Sequence, residues 1–446
     1  MSTSRPPIRS FSPGFALCLA LIGASSMLYY HQALFIPRTR EAQRSKGLSN
    51  GYSFGNDFYQ IWLSSRELLE RREDPYSAEM TRKIQTGLYG RSLDPARPGD
   101  PIDQRAFPYP AFVDLLFLPA AAIPFPIVRI AACCLLAALT IASVLLWLRV
   151  LSWNLDWNWT AVIVLLTLSS YPALEGLYAA QIGLLVSFLL AASVLALQGS
   201  RLLLSGTLLA LTAMKPQVTI LAILYLLLWN IRSTRSSRFY VGFFTTLAVL
   251  VAAATIVLPH WISSWIHTVL AYRHYTPPPL VAQTLTSWLG PRLAGPATLV
   301  LTAGSIAFAL ILCWRNRNAP AGSFSFLLTL TVLLAITAFV IVPGLAIYDH
   351  LILIPGILFL FRHRKLLFEA RAIPLIVGCA GALVLFWPWM AAFALVCLQP
   401  ILSASVFHST ALLSLPIRTA ASLPFVVLAL LGLMWRAIAR KTGAPA

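Results

Sequence analysis

Asp57 is the acid of this sequence that is best placed to do chemistry. It stands at the start of a predicted helix and among aromatic residues, in the segment GNDFYQIW at 55–62. An Asp in this position can cap the helix by accepting hydrogen bonds from its first free backbone N–H groups. The same carboxylate could act as a general base that takes the proton of a substrate hydroxyl. The residues alone leave both interpretations open.

Lys215, Asp349 and His350 stand near the ends of predicted membrane-spanning helices. Lys215, in TAMKPQ, could extend to water or neutralise a phosphate group. Asp349 could cap a helix, but an acid and a histidine side by side at membrane depth indicate a functional site. Gln181 lies in a connecting segment, where a polar side chain needs no function. The six cysteines lie in apolar blocks without the spacing of a zinc site, so no metal is predicted.

The elements that must position these residues are membrane-spanning helices. Of the 446 residues, 58% are hydrophobic and 11% are charged, whereas a soluble domain carries about a quarter charged residues. The apolar residues come in blocks of roughly 18 to 22, the length at which a helix crosses a bilayer. The net charge of +18 is not a nucleic-acid signal, because Lys and Arg stand in short clusters between these blocks. We predict an all-α polytopic membrane protein with no nucleic-acid partner.

About twelve spans are predicted, and together they form a single membrane domain over residues 1–446. Their approximate bounds are 14–35, 127–149, 158–172, 181–198, 202–215, 217–230, 239–258, 295–313, 322–342, 346–361, 373–397 and 420–437. The basic clusters fall at alternate ends of these spans if the N-terminus is cytoplasmic. This predicts a multi-pass protein of a bacterial-type inner (plasma) membrane, with both termini in the cytoplasm.

Three segments between the spans are predicted to face the outer side. The first loop, residues 37–107, is the longest polar segment and contains an amphipathic pattern over 58–71, which predicts a helix on the membrane surface. Residues 108–126 are apolar but contain five prolines, which predicts a re-entrant or half-buried element. The second loop, residues 259–294, is rich in Trp, Tyr, His and Pro, which suit a membrane interface or a sugar-binding surface. All the polar residues singled out above fall on this outer side.

Two further acids are given structural roles. Asp74, in the sequence Asp74-Pro75-Tyr76, predicts a turn that ends the amphipathic helix. Asp114, inside the proline-rich element, is interpreted as solvated or paired with an Arg.

Several short motifs follow one another along the chain. They are DFY at 57–59, DPY at 74–76, FPYP at 107–110 with a later Pro119, AQIG at 180–183, the stretch from Gly206 to Lys215-Pro216, QTLT at 283–286 and YDH at 348–350. Their order and spacing resemble glycosyltransferase family 87, the membrane mannosyltransferase-like proteins with the GT-C fold, over most of the chain. Ala111, Asp114 and Gln283-Thr284 depart from the family's pattern.

The resemblance implies a GT-C-like bundle of about 12 transmembrane helices with a long first outer loop. It implies that the protein moves a hexose such as mannose from a polyprenyl-phosphate-sugar donor to an envelope lipid or glycan acceptor on the outer face, without a further cofactor. By the same resemblance Asp57 is the catalytic base.

This chemistry agrees with the residue types. Inversion by single displacement needs one carboxylate, whereas a retaining reaction needs a second one about 5 Å from the first, and the sequence identifies none. The leaving lipid phosphate needs cationic or hydrogen-bonding partners. Lys215 and His350 are the predicted partners and Gln181 is a weaker one. Asp349 and Gln283 complete the predicted substrate-binding set.

Two other classes of function stay open on the residues. A transporter or lipid flippase would line a pathway with the outer polar residues and would show paired acids or broken helices in mid-membrane. Only Pro343-Gly344 and Pro355-Gly356 hint at such breaks. A noncatalytic scaffold for envelope assembly would tolerate the substitution Asp57→Asn.

Overall fold

The computed structural model describes residues 12–48, 52–94, 96–229, 231, 236–275, 280–344, 346–368, 372–407 and 410–442. Regular structure in these residues is helical, apart from an isolated β-bridge between Leu280 and Pro343. The α-helices are α1 (Pro13–Tyr29), α2 (Ile36–Arg44), α3 (Asn56–Arg71), α4 (Ala78–Tyr89), α5 (Phe112–Ala121), α6 (Phe125–Val150), α7 (Trp157–Ser169), α8 (Tyr171–Ala179), α9 (Gly183–Gln198), α10 (Leu202–Leu211), α11 (Pro216–Leu228), α12 (Ser237–Val257), α13 (Trp261–Tyr275), α14 (Val281–Thr286), α15 (Pro291–Arg315), α16 (Phe324–Val340), α17 (Ile354–Arg362), α18 (Arg364–Phe368), α19 (Ala372–Leu398), α20 (Ala404–Phe407), α21 (Thr410–Leu413) and α22 (Leu423–Thr442). The prediction of an all-α polytopic membrane protein is confirmed.

Five helical segments of the described chain are long and apolar enough to cross a membrane, and a sixth results if the bent pair of α7 and α8 is one span. The five are Pro13–Arg44, Phe125–Val150, Ser237–Val257, Pro291–Arg315 and Leu375–Leu398. The other apolar helices have 10–17 residues, which is short for a crossing. Each of the twelve predicted spans overlaps helical residues, but the number of crossings stays a prediction.

The first membrane helix is longer than the sequence predicts. From α1 the chain passes through a π-helical segment, Tyr30–Phe35, directly into α2, and one helical segment extends from Pro13 to Arg44. The helix therefore continues past residue 37, where the first loop is predicted to begin, and this loop boundary stays a prediction. Pro37 lacks a backbone N–H and would disturb a regular α-helix, and the π-helical residues stand immediately before it.

The helix α3 confirms the amphipathic helix predicted in the first loop. Within this helix Ile61 and Leu68 are buried, whereas Leu69 is 56% exposed. The helix packs on α5 and α4, and its buried side chains include polar ones. The helix is thus packed between other elements of the protein, and its place at the membrane surface stays a prediction.

The helix α4 was not predicted. Ser77 begins it by accepting a hydrogen bond from the Met80 N–H at 2.9 Å, and Gly90 ends it with a left-handed backbone. The turn predicted before it is confirmed, since the Asp74 carboxylate accepts a hydrogen bond from the Tyr76 N–H at 2.9 Å. The two helices of the first loop thus follow one another through a short capped turn.

The proline-rich element is a short helix, α5, that contains Pro119 and is followed by the long α6. The helix α13 of the second loop lies against this element, because the Trp265 indole N–H donates to the Pro108 carbonyl at 3.0 Å. Both loops and the proline-rich element therefore meet on one side of the helical bundle. Whether residues 108–126 re-enter the membrane stays a prediction.

Close backbone packing anchors the helix that leads to Lys215. A Cβ on Gly206 of α10 would lie 2.0 Å from the Phe239 carbonyl oxygen of α12, so only glycine allows this approach. After α10 a 3-10 turn, Thr212–Met214, brings the chain to Lys215 at the start of α11.

Candidate active site

Asp57 is positioned by the tight docking of the N-terminus of α3. Gly55, which precedes the helix, has a left-handed backbone with φ 81°, and its N–H donates to the Tyr178 carbonyl at the end of α8 at 2.7 Å. A Cβ on Gly55 would lie 2.9 Å from the Cβ of Arg129 on α6. Glycine is therefore required both for the conformation and for the close contact, and Asp57 follows two residues later.

The carboxylate of Asp57 is held by two side chains from different parts of the chain. Its Oδ1 accepts a hydrogen bond from Nη1 of Arg105 at 3.0 Å, and its Oδ2 accepts one from Nε2 of Gln181 at 2.8 Å. The residue is buried, with 8% exposure. Gly55 occupies the cap position of α3, so Asp57 is not the N-cap that the simpler interpretation assumed. The structure instead brings together Asp57 and Gln181, both predicted site residues.

Arg105 is a site residue that the sequence reasoning missed. It has a left-handed backbone with φ 56°, and its N–H donates to Oδ1 of Asp103 at 2.9 Å. Its guanidinium also donates from Nε to the hydroxyl of Tyr89 at 3.0 Å. The available signal was a basic residue directly before the motif FPYP at 107–110, within a loop rich in basic residues.

Gln181 connects Asp57 to the proline-rich element. It follows Ala180, which ends α8 with a left-handed backbone at φ 52°, an unusual conformation for a residue with a side chain. The Gln181 N–H donates to the Gly176 carbonyl at 2.8 Å, which fixes this turn. Its side-chain oxygen accepts a hydrogen bond from the Tyr109 hydroxyl at 3.2 Å. The amide therefore joins the tyrosine of the FPYP motif to the carboxylate of Asp57.

Lys215 and Asp349 form a second buried ion pair, with 2.7 Å between Nζ and Oδ1. The side chains of both are at most 5% exposed, and the Lys215 ammonium lies over the ring of Tyr348 at 4.7 Å from its centre. Gly183 packs against this pair, since a Cβ there would lie 2.4 Å from Oδ1 of Asp349 and 3.5 Å from Nζ of Lys215. The structure thus brings two further predicted residues together.

The two ion pairs belong to one polar cluster, which consists of Asp57, Arg105, Tyr109, Gln181, Lys215, Tyr348 and Asp349. The turn from Gln181 to Gly183 contacts both pairs, and the charges of Asp57 and Asp349 are close enough to interact. Two acids and two bases in the cluster balance each other, so the polar cluster carries no net formal charge.

The predicted role of Asp114 as a solvated or Arg-paired acid is wrong. Asp114 is 0% exposed and its carboxylate accepts hydrogen bonds from the hydroxyls of Ser64 at 3.0 Å and Ser65 at 3.3 Å. The reason is that α5, which carries Asp114, packs on the side of α3 that carries these two serines. The acid therefore joins the proline-rich element to α3, the helix that carries Asp57.

Tyr76 holds the FPYP motif at 107–110 by a hydrogen bond to its backbone. Its hydroxyl donates to the Tyr109 carbonyl at 2.8 Å. Burial, and then the negative charge of Asp114, raise the pKa of Tyr76 well above its ordinary value. The hydroxyl therefore stays protonated and keeps its hydrogen bond to the Tyr109 carbonyl at all ordinary pH values.

Glu175 has a structural role that the sequence did not indicate. Its carboxylate accepts a hydrogen bond from the Tyr52 hydroxyl at 2.6 Å and lies 3.3 Å from Nε2 of His31. His31 lies in the π-helical segment of the first membrane helix and Tyr52 in the first loop. This contact joins the first loop to both the first helix and α8.

His350 faces away from the Lys215–Asp349 pair. It follows Asp349 in a 3-10 helix (Ile347–Leu353), where consecutive side chains point about 120° apart. Its Nδ1 lies 3.2 Å from the Ala420 carbonyl, and the ring lines a cavity of about 1060 Å³ between α7, α17 and α19. We name this space the α7–α19 cavity. The structure therefore does not bring His350 to the polar cluster.

Gln283, the remaining predicted residue, is exposed on α14, and the described contacts of this residue are made by its backbone carbonyl, which accepts from Thr286. The structure does not place its side chain in the polar cluster. Among the described residues no group of three or more His, Cys, Asp and Glu side chains could hold a metal ion. The predicted absence of a metal stays a prediction.

A family model described as glycosyltransferase family 87 matches residues 107–343. The match covers just over half of the chain, less than the motifs suggested. It includes Gln181 and Lys215 of the polar cluster, begins after Asp57 and ends before Asp349. No curated protein and no solved structure matches the chain.

Proposed function

This chain belongs to glycosyltransferase family 87, and on that premise we propose that it transfers a hexose, mannose, from a polyprenyl-phosphate-sugar donor to an envelope lipid or glycan acceptor. The family makes the protein a glycosyltransferase, and its apolar helices make it a membrane protein. The proposal adds the donor, the acceptor class and the residues that act on them.

One observation carries the proposal most directly, namely that the carboxylate of Asp57 is held by Arg105 and Gln181 within the polar cluster. Each carboxylate oxygen has two acceptor sites, and the described partners occupy one on each oxygen. A further site on Asp57 therefore stays open to the hydroxyl of an acceptor. Because its partners fix the rotamer of the carboxylate, the base is oriented before the substrate arrives.

In the proposed reaction the acceptor hydroxyl attacks the anomeric carbon of the donor sugar while Asp57 takes the hydroxyl proton. A new bond forms between the acceptor oxygen and the anomeric carbon. The bond between that carbon and the phosphate oxygen breaks, and the lipid phosphate leaves with the bonding electrons. A single displacement of this kind inverts the anomeric configuration. The proposal assigns Asp349 to holding the Lys215 ammonium, and it therefore assigns no second carboxylate of the kind that a retaining reaction needs.

Lys215 and Arg105 are the proposed partners of the leaving phosphate. The Lys215 ammonium has three N–H donors and directs one to Asp349, and the Arg105 guanidinium has five donors and directs two to Asp57 and Tyr89. Both cations therefore keep donors for phosphate oxygens. Gln181 orients the base, and Asp349 holds the Lys215 ammonium in place.

The location of this site supports an outer-face reaction. The basic clusters of the sequence favour cytoplasmic termini in an inner membrane, and this topology puts the first loop and the polar cluster on the outer face. A polyprenyl-phosphate sugar suits that location, since the lipid carries the sugar at the membrane. The family assignment favours an enzyme over the transporter, flippase and scaffold interpretations.

The test uses the purified full chain in lipid nanodiscs with radiolabelled polyprenyl-phosphate mannose and a membrane extract as the source of acceptor. We expect transfer by the wild type and a loss of about 10²- to 10⁴-fold for Asp57→Asn, the range for removal of a general base. The matched control is Asp156→Asn, because Asp156 is an exposed cap of α7 and Asn caps equally well. Equal transfer by wild type and Asp57→Asn would remove Asp57 from the mechanism. Labelling only from a nucleotide sugar would exclude the proposed donor.

A further inference from the structure

The α7–α19 cavity is a large apolar space that the proposed reaction does not use. Its volume of about 1060 Å³ reaches the top of the range for pockets of drug-sized ligands, about 300–1,000 Å³. Apolar side chains from several helices line it, among them Ile163, Ile357, Phe386 and Trp389. Neither Asp57 nor Lys215 lines it. A ligand with a long apolar chain suits such an apolar lining.

The cavity extends along the direction of the membrane helices. Its lining includes residues from Trp159 in α7 to Ser170 just after that helix, which corresponds to roughly 16 Å at about 1.5 Å per residue. That is about half of the roughly 30 Å hydrocarbon thickness of a bilayer. The occupant that fits this length and position is the chain of a membrane lipid.

Two residues that line this cavity each have a buried polar atom without a partner. Nε2 of His350 and Oγ1 of Thr419 are both buried, and within the described part of the chain neither has a hydrogen-bond partner. His350 is only 1% exposed. Leaving such groups unsatisfied is costly, about 1–3 kcal/mol for a buried donor or acceptor. Two such atoms beside one apolar space indicate a ligand with a polar head.

The ring of His350 determines which kind of head it can bind. Nδ1 faces the Ala420 carbonyl, which can only accept, so Nδ1 must carry the proton. In the neutral ring Nε2 is then an acceptor and needs a donor from the ligand. The Thr419 hydroxyl can donate to an oxygen of the same ligand. A free hydroxyl on the ligand does both, whereas an anionic phosphate oxygen would face the lone pair of Nε2.

We propose that the α7–α19 cavity binds one membrane lipid whose head is a free hydroxyl, with its chain along the apolar wall and its hydroxyl bonded to His350 and Thr419. Arg364 and Lys365 also line the cavity, but both are exposed and can stay hydrated, so they do not require an anionic head. The hydroxyl can belong to a glycerolipid or to an isoprenoid alcohol. This inference does not depend on the proposed reaction, because it concerns a separate cavity.

The test measures photo-crosslinking of the full chain in phosphatidylcholine nanodiscs. The probes are a diazirine-bearing diacylglycerol and a diazirine-bearing polyisoprenol, each compared with its phosphorylated form, phosphatidic acid or polyisoprenyl phosphate. We expect the alcohols to label the cavity helices more strongly than the phosphorylated forms. The more strongly labelling alcohol identifies the source of the hydroxyl. Equal or stronger labelling by the phosphorylated probes would overturn the proposal.

Variants assign the binding to the named atoms. We expect His350→Phe and Thr419→Val each to reduce labelling by about three- to tenfold, which is the effect of one lost hydrogen bond. The matched controls His363→Phe and Thr329→Val change residues that do not line the cavity and should label as the wild type does. Ile357→Trp should block labelling by filling the space. Unchanged labelling of His350→Phe would contradict the proposed contact.

Two further variants separate binding from folding and from catalysis. If His350→Phe fails to fold, His350→Gln replaces it, because the amide oxygen still offers an acceptor and labelling should be largely kept. Loss of labelling in a well-folded His350→Gln variant would count against the hydroxyl contact. Asp57→Asn should label as the wild type does, and a loss there would contradict the separation of the cavity from the polar cluster.

Discussion

The polar cluster and the α7–α19 cavity lie on different sides of one 3-10 helix, and their buried polar atoms are satisfied in different ways. In the polar cluster the carboxylates of Asp57 and Asp349 are bound by Arg105 and Lys215. In the cavity Nε2 of His350 has no partner in the described chain. Consecutive residues, Asp349 and His350, thus belong to a region of paired charges and to a region with an unpartnered polar atom.

This difference separates two kinds of binding region. Buried ions need partners, and a cluster that supplies them internally holds its side chains in fixed positions before any substrate binds. A buried polar atom without a partner instead gains a hydrogen bond when a ligand arrives. The polar cluster therefore suits chemistry on a precisely held substrate, and the cavity suits the binding of a lipid.

The largest expected effect comes from breaking the Lys215–Asp349 pair. Lys215→Met should lower the free energy of unfolding by about 3–5 kcal/mol, because it leaves Asp349 buried without its cation. The double variant Lys215→Met with Asp349→Leu should recover most of this stability, since both charges are gone, yet transfer should stay low. Unfolding in detergent and the transfer assay measure the two effects.

The exposed Lys46 provides the control for this experiment, and Lys46→Met should unfold like the wild type. A double variant as unstable as Lys215→Met would show that the residues act through their packing. A double variant with full transfer would show that this pair of the polar cluster serves only the fold.

A smaller effect is expected from Gly183→Ala. The added Cβ would lie 2.4 Å from Oδ1 of Asp349, so the pair with Lys215 must shift, at a cost of about 1–3 kcal/mol for overpacking. Gly304→Ala is the control, because a Cβ there meets nothing within 4 Å and Ala favours the helix α15. Thermal unfolding of both variants measures the difference. Equal melting temperatures would mean that the pair tolerates displacement.

Arg105→Lys tests how far the orientation of Asp57 depends on the planar guanidinium. An ammonium keeps the charge but cannot bind Asp57 and Tyr89 in the same fixed geometry. We expect kcat to fall by about tenfold, the effect of one hydrogen bond to a charged group, while the melting temperature changes little. The control is Arg82→Lys on the exposed face of α4. A wild-type kcat in Arg105→Lys would show that charge alone is sufficient.

The sequence predicted the parts of the site that depend on local patterns. The amphipathic period located α3, and the clusters of basic residues separated the spans, because both signals repeat at short range. The pairing of Asp57 with Gln181 joins residues far apart in the chain, and no local pattern contains it. Arg105 was missed for the same reason, since its role depends on a left-handed turn that directs it to Asp57.

The direction of His350 could not be predicted either. The pair of Asp349 and His350 was correctly identified as unusual, but a 3-10 helix turns consecutive side chains to different sides. In the same way Asp114 could not be assigned to Ser64, because their contact depends on how α5 packs on α3. Residue type indicates that a buried polar group needs a partner, and only the packing of helices identifies the partner.

The smallest effect is expected in the first loop, where Arg91 and Asp100 form a pair outside both regions. Nη1 of Arg91 donates to Oδ2 of Asp100 at 2.8 Å, and this bond, followed by one from the Asp94 N–H, holds the pKa of Asp100 below its ordinary value. A carboxylate whose pKa is lower in the folded state stabilises that state above its unfolded pKa of about 3.9, and the contribution is lost as the pH falls below that value.

Hydrogen exchange of the Leu93 and Asp94 amides should therefore speed up between pH 5 and pH 3, relative to unstructured peptide at the same pH. Asp100→Asn should exchange faster already at pH 5 and lose most of this additional pH dependence. The same pH dependence in both proteins would show that this pair of the first loop contributes nothing measurable to the fold.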